Sequence, residues 1–178
     1  MTFHPTPLQD AWLIELDRAK DRRGWFARAF CADTFREKGL NSTIAQINIS
    51  RSLEKYTLRG FHYQLPPAEE AKTVRCIRGR ILDVIIDLRP HSPSRFGHYQ
   101  VELSQQNHRA LYVPEGFAHA FLSLEERCEV LYQVSHPYQP EREAGIRWND
   151  PFFGISWPTQ NPILSEKDRS HPDFFANR

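Results

Sequence analysis

Lys72-Thr-Val-Arg-Cys-Ile-Arg-Gly-Arg-Ile-Leu-Asp-Val-Ile-Ile-Asp-Leu-Arg89 is the stretch whose reading decides the fold class. Its two halves, Lys72 to Arg78 and Arg80 to Arg89, read as strands on either side of Gly79. The second half is an almost unbroken apolar run, the pattern of a strand buried on both faces. Upstream, Trp12 to Leu16 and Trp25 to Phe30 read as strands flanking the charged turn Asp21 to Gly24. Cys31 to Gly39 has helical spacing, with Asp33 as a candidate N-cap and Gly39 as the stop. Thr43 to Ser50 alternates, with Ala45, Ile47 and Ile49 on one face and Gln46, Asn48 and Ser50 on the other. Downstream strands are expected over His98 to Ser104, Arg109 to Val113, Phe117 to Leu122 and Arg127 to Ser135, each bounded by Pro, Gly or polar turns. From Trp148 to Arg178 the chain is rich in Pro and Asn and has little periodicity. Many short strands with no repeat or linker predict one all-β domain over residues 1–178, a sandwich or jelly-roll barrel.

The totals agree with that class. In 178 residues there are 13 Pro and 12 Phe against one Met, a mix that favours strands and turns over long helices. A net charge of +1 gives no broad basic face for nucleic acid or an anionic membrane. Cys31, Cys76 and Cys128 are far apart and odd in number, which suits reduced thiols. No apolar run reaches membrane-spanning length, and the first residues lack a signal peptide's pattern, so a cytoplasmic protein is expected.

Candidate chemistry centres on Thr57-Leu-Arg-Gly-Phe-His-Tyr-Gln-Leu-Pro-Pro67, a strand closed by two prolines. Arg59 suits a phosphate or carboxylate, and His62 can move a proton near neutral pH. Strict alternation separates these two residues onto opposite faces, so they reach one pocket only if Gly60 bends the strand. Period two also puts Tyr132 in a row with Cys128, Val130 and Val134. It puts His119 with Phe117 and Phe121, and Lys72 with Val74 and Cys76. Three strands thus aim a titratable head into an apolar interior, where each needs a partner or a pocket.

Taken in order, several pieces resemble the dTDP-4-dehydrorhamnose 3,5-epimerase family, nucleotide-sugar enzymes with a cupin-type jelly roll. They are Asp21-Arg-Arg-Gly-Trp-Phe26, Gln46-Ile-Asn-Ile-Ser50, Leu58-Arg-Gly-Phe-His-Tyr-Gln64, Lys72-Thr-Val-Arg-Cys76, Asp83 to Arg89, Val113 to His119, Trp148 to Pro151, Trp157-Pro158 and Leu164-Ser-Glu-Lys-Asp168. The resemblance implies a jelly-roll β-barrel with short peripheral helices and no cofactor or metal. It implies that His62 is the base, Asp168 its orienting carboxylate, Tyr132 the acid on the opposite face and Lys72 the cation beside the enolate oxygen. For binding it implies Arg23 and Arg59 on the diphosphate, contacts from Gln46, Asn48, His119, Glu143 and Lys167, and Tyr138 stacked on the base. Family members are homodimers that exchange N-terminal strands, which leaves Arg23 to serve its own pocket or a neighbour's.

The chain departs from the family pattern at Arg28, where Glu is usual, and at Glu70-Ala71, where Gln-Gly is usual. Ala120 stands where Gly is common. The alternatives are a mono-epimerase or ketoisomerase on a CDP- or GDP-linked 4-keto sugar, a non-enzymatic sugar-nucleotide binder, and a metal-dependent cupin. The last would use His62, His119 and Glu69 or Glu70, since Pro114-Glu-Gly-Phe-Ala-His119 resembles half of a cupin metal signature.

Overall fold

The computed structural model describes residues 1–174. In chain order the strands are β1 (Thr2–Pro5), β2 (Trp12–Glu15), β3 (Ala19–Asp21), β4 (Gly24–Phe26), β5 (Gln46–Ser52), β6 (Leu58–Gln64), β7 (Lys72–Arg78) and β8 (Arg80–Asp87). They continue with β9 (His98–Ser104), β10 (Ala110–Val113), β11 (Phe117–Ser123), β12 (Cys128–Val134) and β13 (Glu143–Gly145). Two short helices, α1 (Ala32–Glu37) and α2 (Glu166–Arg169), lie outside the strands.

Two antiparallel sheets carry the fold. One has the order β1-β2-β10-β7-β12-β5 and the other β13-β6-β11-β8-β9, with β3-β4 as a separate hairpin. Leu13, Val74, Leu111, Val113 and Val130 of the first sheet meet Ile81, Ile85, Leu103, Phe117 and Phe121 of the second in one apolar core. This is the jelly-roll sandwich that the alternating strands predict. The continuous apolar run of β8 has its expected cause. Ile81 and Ile85 face the inner core, while Val84 and Ile86 face a second core on the outer side of the same sheet.

That second core explains the aperiodic C-terminal stretch. Its Phe153, Trp157 and, less deeply, Trp148, Ile155, Leu164 and Phe174 cover Leu58, Phe61, Ala118, Ala120 and Leu122. A segment that covers a sheet by isolated anchors needs no period, which is why the pattern gave no sign of it. The last four residues of this stretch, 175–178, lie outside the described residues.

Local differences have local causes. The helix starts two residues earlier than an Asp33 cap would place it: Cys31 is its N-cap, and Asp33 sits in the first turn, paired with Arg36. The expected strand from Trp25 to Phe30 ends at Phe26, because β3 is only three residues long and supplies no ladder beyond Ala19. Phe30 instead packs on Phe35 of α1, with ring centroids 4.8 Å apart. β1, which has no alternating pattern, pairs along its full length with β2.

After β8 the chain turns around a buried carboxylate. Asp87 accepts from Arg89 Nη2 at 2.9 Å and from Ser94 Oγ at 2.7 Å, and is itself fully buried. Burial pushes this carboxyl up, but the bonds from Arg89, Ser92 and Ser94 outweigh it and hold it below the usual range. A depressed folded pKa stabilises the fold above the unfolded value, about 4 for Asp, and that contribution is lost as pH falls through the folded value. Asp87→Asn should therefore cost about 3 kcal/mol at neutral pH. It should also flatten the acid limb of stability in denaturant titrations; an unchanged limb would contradict this account.

Candidate active site

Gly60 makes the site possible. Its φ is +116°, and a Cβ placed there would lie 2.5 Å from the carbonyl oxygen of His119 and 2.7 Å from Ala120 Cα. The pairing of β6 with β11 slips at this point: His62 is opposite His119, whereas Arg59 is opposite Phe121. This irregularity breaks the strict alternation, and Arg59 and His62 line the same cavity. Gly60→Ala should destabilise the fold by about 3 kcal/mol in urea unfolding; a variant of wild-type stability would show that the backbone relaxes freely there.

Two adjoining cavities open between the sheets, of about 390 and 240 Å3. His62, Lys72 and Tyr132 line both. His62 comes from β6 of one sheet, while Lys72 (β7) and Tyr132 (β12) come from the other, so the imidazole and the phenol enter from opposing walls. The larger cavity adds Gln46, Asn48, Gln64, Glu70, His136, Tyr138 and Glu143. The smaller adds Ser50, Arg59, His119, Ser165, Lys167 and Asp168. Of the twelve residues singled out from sequence, eleven line one or both cavities. Arg23 does not: it sits 84% exposed on the β3-β4 turn, bound to Asp21.

β5 contributes through its polar row. Gln46, Asn48 and Ser50 face the cavities, while Ile47 and Ile49 on the other face are 56% and 65% exposed. Gln46 Oε1 accepts from the Tyr138 amide at 2.7 Å and so ties the Pro-bracketed loop to this edge strand.

His62 Nε2 is 2.6 Å from Asp168 Oδ1. Asp168 is buried at the end of α2, whose N-cap Ser165 accepts from the Asp168 amide at 3.0 Å. Burial raises the Asp168 carboxyl, but the His62 bond and charge, the Gly60 amide and Ser165 together hold it below its usual value. It therefore stays a carboxylate at neutral pH. It can fix the His62 tautomer with the proton on Nε2, which leaves Nδ1 free to accept another. Burial raises the Tyr132 phenol, Glu70 adds to this and Arg59 opposes it. The phenol stays above its usual value, so Tyr132 is a neutral O–H donor at neutral pH. Lys72 Nζ is 3.0 Å from Glu70 Oε1, with both side chains about nine-tenths buried.

Several partners in this arrangement escape a reading by motif. Asp83 lies 2.8 Å from His119 Nε2 and is fully buried; a lone carboxylate in the apolar run of β8 was its signal, since a buried charge needs a partner. Gln64 binds Glu70, the Ala68 carbonyl and the Gln139 amide, and so braces the Lys72 counter-ion. Glu143 joins Tyr138 and Lys167. Burial raises the Glu143 carboxyl, yet the bonds from Lys167 and Tyr138 outweigh it, and Glu143 raises both partners in return. His171, in a stretch with no pattern, gave no signal.

The donor set of a metal-dependent cupin is not assembled. His119 is engaged by Asp83, and Glu70 by Lys72 and Gln64. Among the described residues, the three ligand-capable side chains that converge are His62, Asp168 and His171.

A jelly roll with an imidazole–carboxylate pair facing a phenol and an ammonium is a cupin-type acid–base enzyme. The sequence profile of the dTDP-4-dehydrorhamnose 3,5-epimerase family matches residues 5–175. A dTDP-4-dehydrorhamnose 3,5-epimerase of Shigella flexneri is 42% identical over 98% of this chain and 96% of its own. The crystal structure of the like-named enzyme of Elizabethkingia anophelis superposes with a TM-score of 0.95 at 39% identity, covering 98% of this chain and 96% of that one. A dTDP-6-deoxy-D-glucose-3,5-epimerase of Legionella pneumophila, solved with dTDP-4-keto-L-rhamnose, gives 0.90 at 34% identity over 97% and 92%. The chain belongs to the dTDP-4-dehydrorhamnose 3,5-epimerase family.

Proposed function

We propose that this epimerase inverts C3 and C5 of a dTDP-linked 4-keto-6-deoxyhexose, converting dTDP-4-dehydro-6-deoxy-D-glucose to dTDP-4-dehydro-L-rhamnose. The carbons flanking the ketone carry its acidic protons. Inversion needs a base on one face of the ring and an acid on the other. His62 Nδ1 takes the proton, and the imidazolium is stabilised by Asp168. Negative charge develops on the C4 oxygen, where the Lys72 ammonium stabilises it by about 3 kcal/mol, the scale of one oxyanion donor. Tyr132 O–H then delivers a proton to the opposite face. The single observation that carries this reading is the junction of the two cavities at His62, Lys72 and Tyr132, from opposing sheets.

Arg59 holds the diphosphate, and Gln46, Asn48, His119, Glu143 and Lys167 contact sugar, phosphate or base. Tyr138 stacks on the nucleobase. The chain works as one domain over residues 1–178, in the cytoplasm, as a homodimer. The exposed apolar row of Ile47 and Ile49 and the exposed Trp25 and Phe26 support the dimer, because a partner would cover them. The exposed Arg23 on the same hairpin as Trp25 and Phe26 fits an exchange of N-terminal strands that carries it into the partner's pocket.

NMR of the products formed from dTDP-, CDP- and GDP-linked 4-keto-6-deoxyglucose in heavy water tests the reading. Deuterium at C3 and C5 of an L-configured dTDP product is expected. Uptake at one centre only, or only from another nucleotide, would contradict it.

A further inference from the structure

The His62–Asp168 pair has a third neighbour that the epimerisation does not use. His171 lies beyond the end of α2, and its ring rests against Gly145, where a Cβ would come within 2.3 Å of it. Its Nε2 is 3.5 Å from Asp168 Oδ1, is buried, and makes no hydrogen bond. The ring meets that of His62 edge-on, with centroids 5.6 Å apart. One donor atom from each of His62, Asp168 and His171 falls within 4.8 Å of the other two.

Two imidazoles and a carboxylate are the donor set of a zinc-class ion. Bonds of about 2.0–2.1 Å in a tetrahedron put ligand atoms about 3.3 Å apart. The separations of His62 Nε2 and His171 Nε2 from Asp168 Oδ1, 2.6 and 3.5 Å, bracket that value, and the two imidazole donors lie within 4.8 Å of each other. The Lys167 ammonium, whose charge acts on His171, is neutralised by Glu143. The smaller cavity, lined by His62 and Asp168, leaves room for a water on the ion.

We propose that His62, Asp168 and His171 bind a divalent transition-metal ion of the zinc class, and that occupancy switches the epimerase off. A metal bonds His62 through the lone pair of Nε2, so the ring's one N–H moves to Nδ1. Nδ1 is the atom that must accept the sugar's proton. The base is thereby removed by a change of tautomer, while the walls that hold the nucleotide sugar stay in place. Turnover falls as the site fills, and KM does not change. The inhibitory half rests on the role proposed for His62; the binding half does not.

Cobalt(II) titration of the metal-free full chain, followed by its visible absorption, tests binding without any substrate. One Co2+ per chain is expected, displaced by Zn2+. His171→Ala and His171→Gln should each weaken it on the order of 100-fold, at least the upper end of what losing an outer-shell partner costs. Both variants should keep wild-type turnover in chelator and lose most of the zinc inhibition. Absence of saturable binding, or equal binding by both variants, would overturn the site. Stoichiometric binding that leaves the turnover of an active wild-type enzyme unchanged would overturn the switch alone. A chain inactive on every sugar yet binding one Co2+ through His171 would contradict the epimerase reading and uphold the site.

Discussion

With His62 replaced by alanine, deuterium from solvent should stop entering both ring carbons, and turnover should fall by about 10²- to 10⁴-fold, the range of one general base. The reason is geometric. His62 lines both cavities, and its Nε2 is committed to Asp168 at 2.6 Å, which leaves a single nitrogen for the substrate. Removing the ring also strips the buried Asp168 of its partner, so His62→Ala carries a structural loss beside the chemical one. His62→Asn keeps a polar group beside Asp168 and separates the two effects. If the asparagine variant folds with wild-type stability and still loses exchange, the base is identified. Exchange at the wild-type rate in either variant would show that another group takes the proton.

Tyr132→Phe should divide the reaction in two. Proton abstraction needs His62 and Lys72, which the substitution leaves alone, so substrate recovered from heavy water should still carry deuterium returned by His62 to its original face. Inversion should fall about 100-fold or more, since no other group is proposed to donate from the wall of β12. The environment of the phenol makes this division sharp. Burial and Glu70 keep it protonated against the opposing pull of Arg59, so it serves as a proton carrier and not as a second base. Equal loss of exchange and inversion would instead mean that Tyr132 acts before the enolate forms.

Strand alternation was enough to turn Lys72 and Tyr132 inward, because β7 and β12 are fully buried on one face only and a one-residue slip would take Val74 and Val130 out of the core. β11 is buried on both faces, so alternation groups His119 with Phe117 and Phe121 without burial alone fixing which core that row meets. The same rule put Arg59 and His62 on opposite faces. Only the bulge at Gly60 brings them together, and whether a strand glycine bulges depends on the neighbour it meets, here β11. The inner position of Gln46, Asn48 and Ser50 was also undetermined by pattern, since β5 is an edge strand whose apolar row is exposed. Asp168 and His171 were the least legible. They reach the site from a segment anchored by scattered aromatics, and no local period specifies where such a segment lies. Ordered motifs located Asp168; nothing in the sequence pointed to His171.

A crystal structure of the protein with an unreactive dTDP-linked hexose tests the central geometry most directly. The account predicts the sugar at the junction of the two cavities, with His62 Nδ1 on one face of the ring, Tyr132 Oη on the other and Lys72 Nζ at the C4 oxygen. A sugar with both groups on the same face, or one held outside the junction, would contradict it.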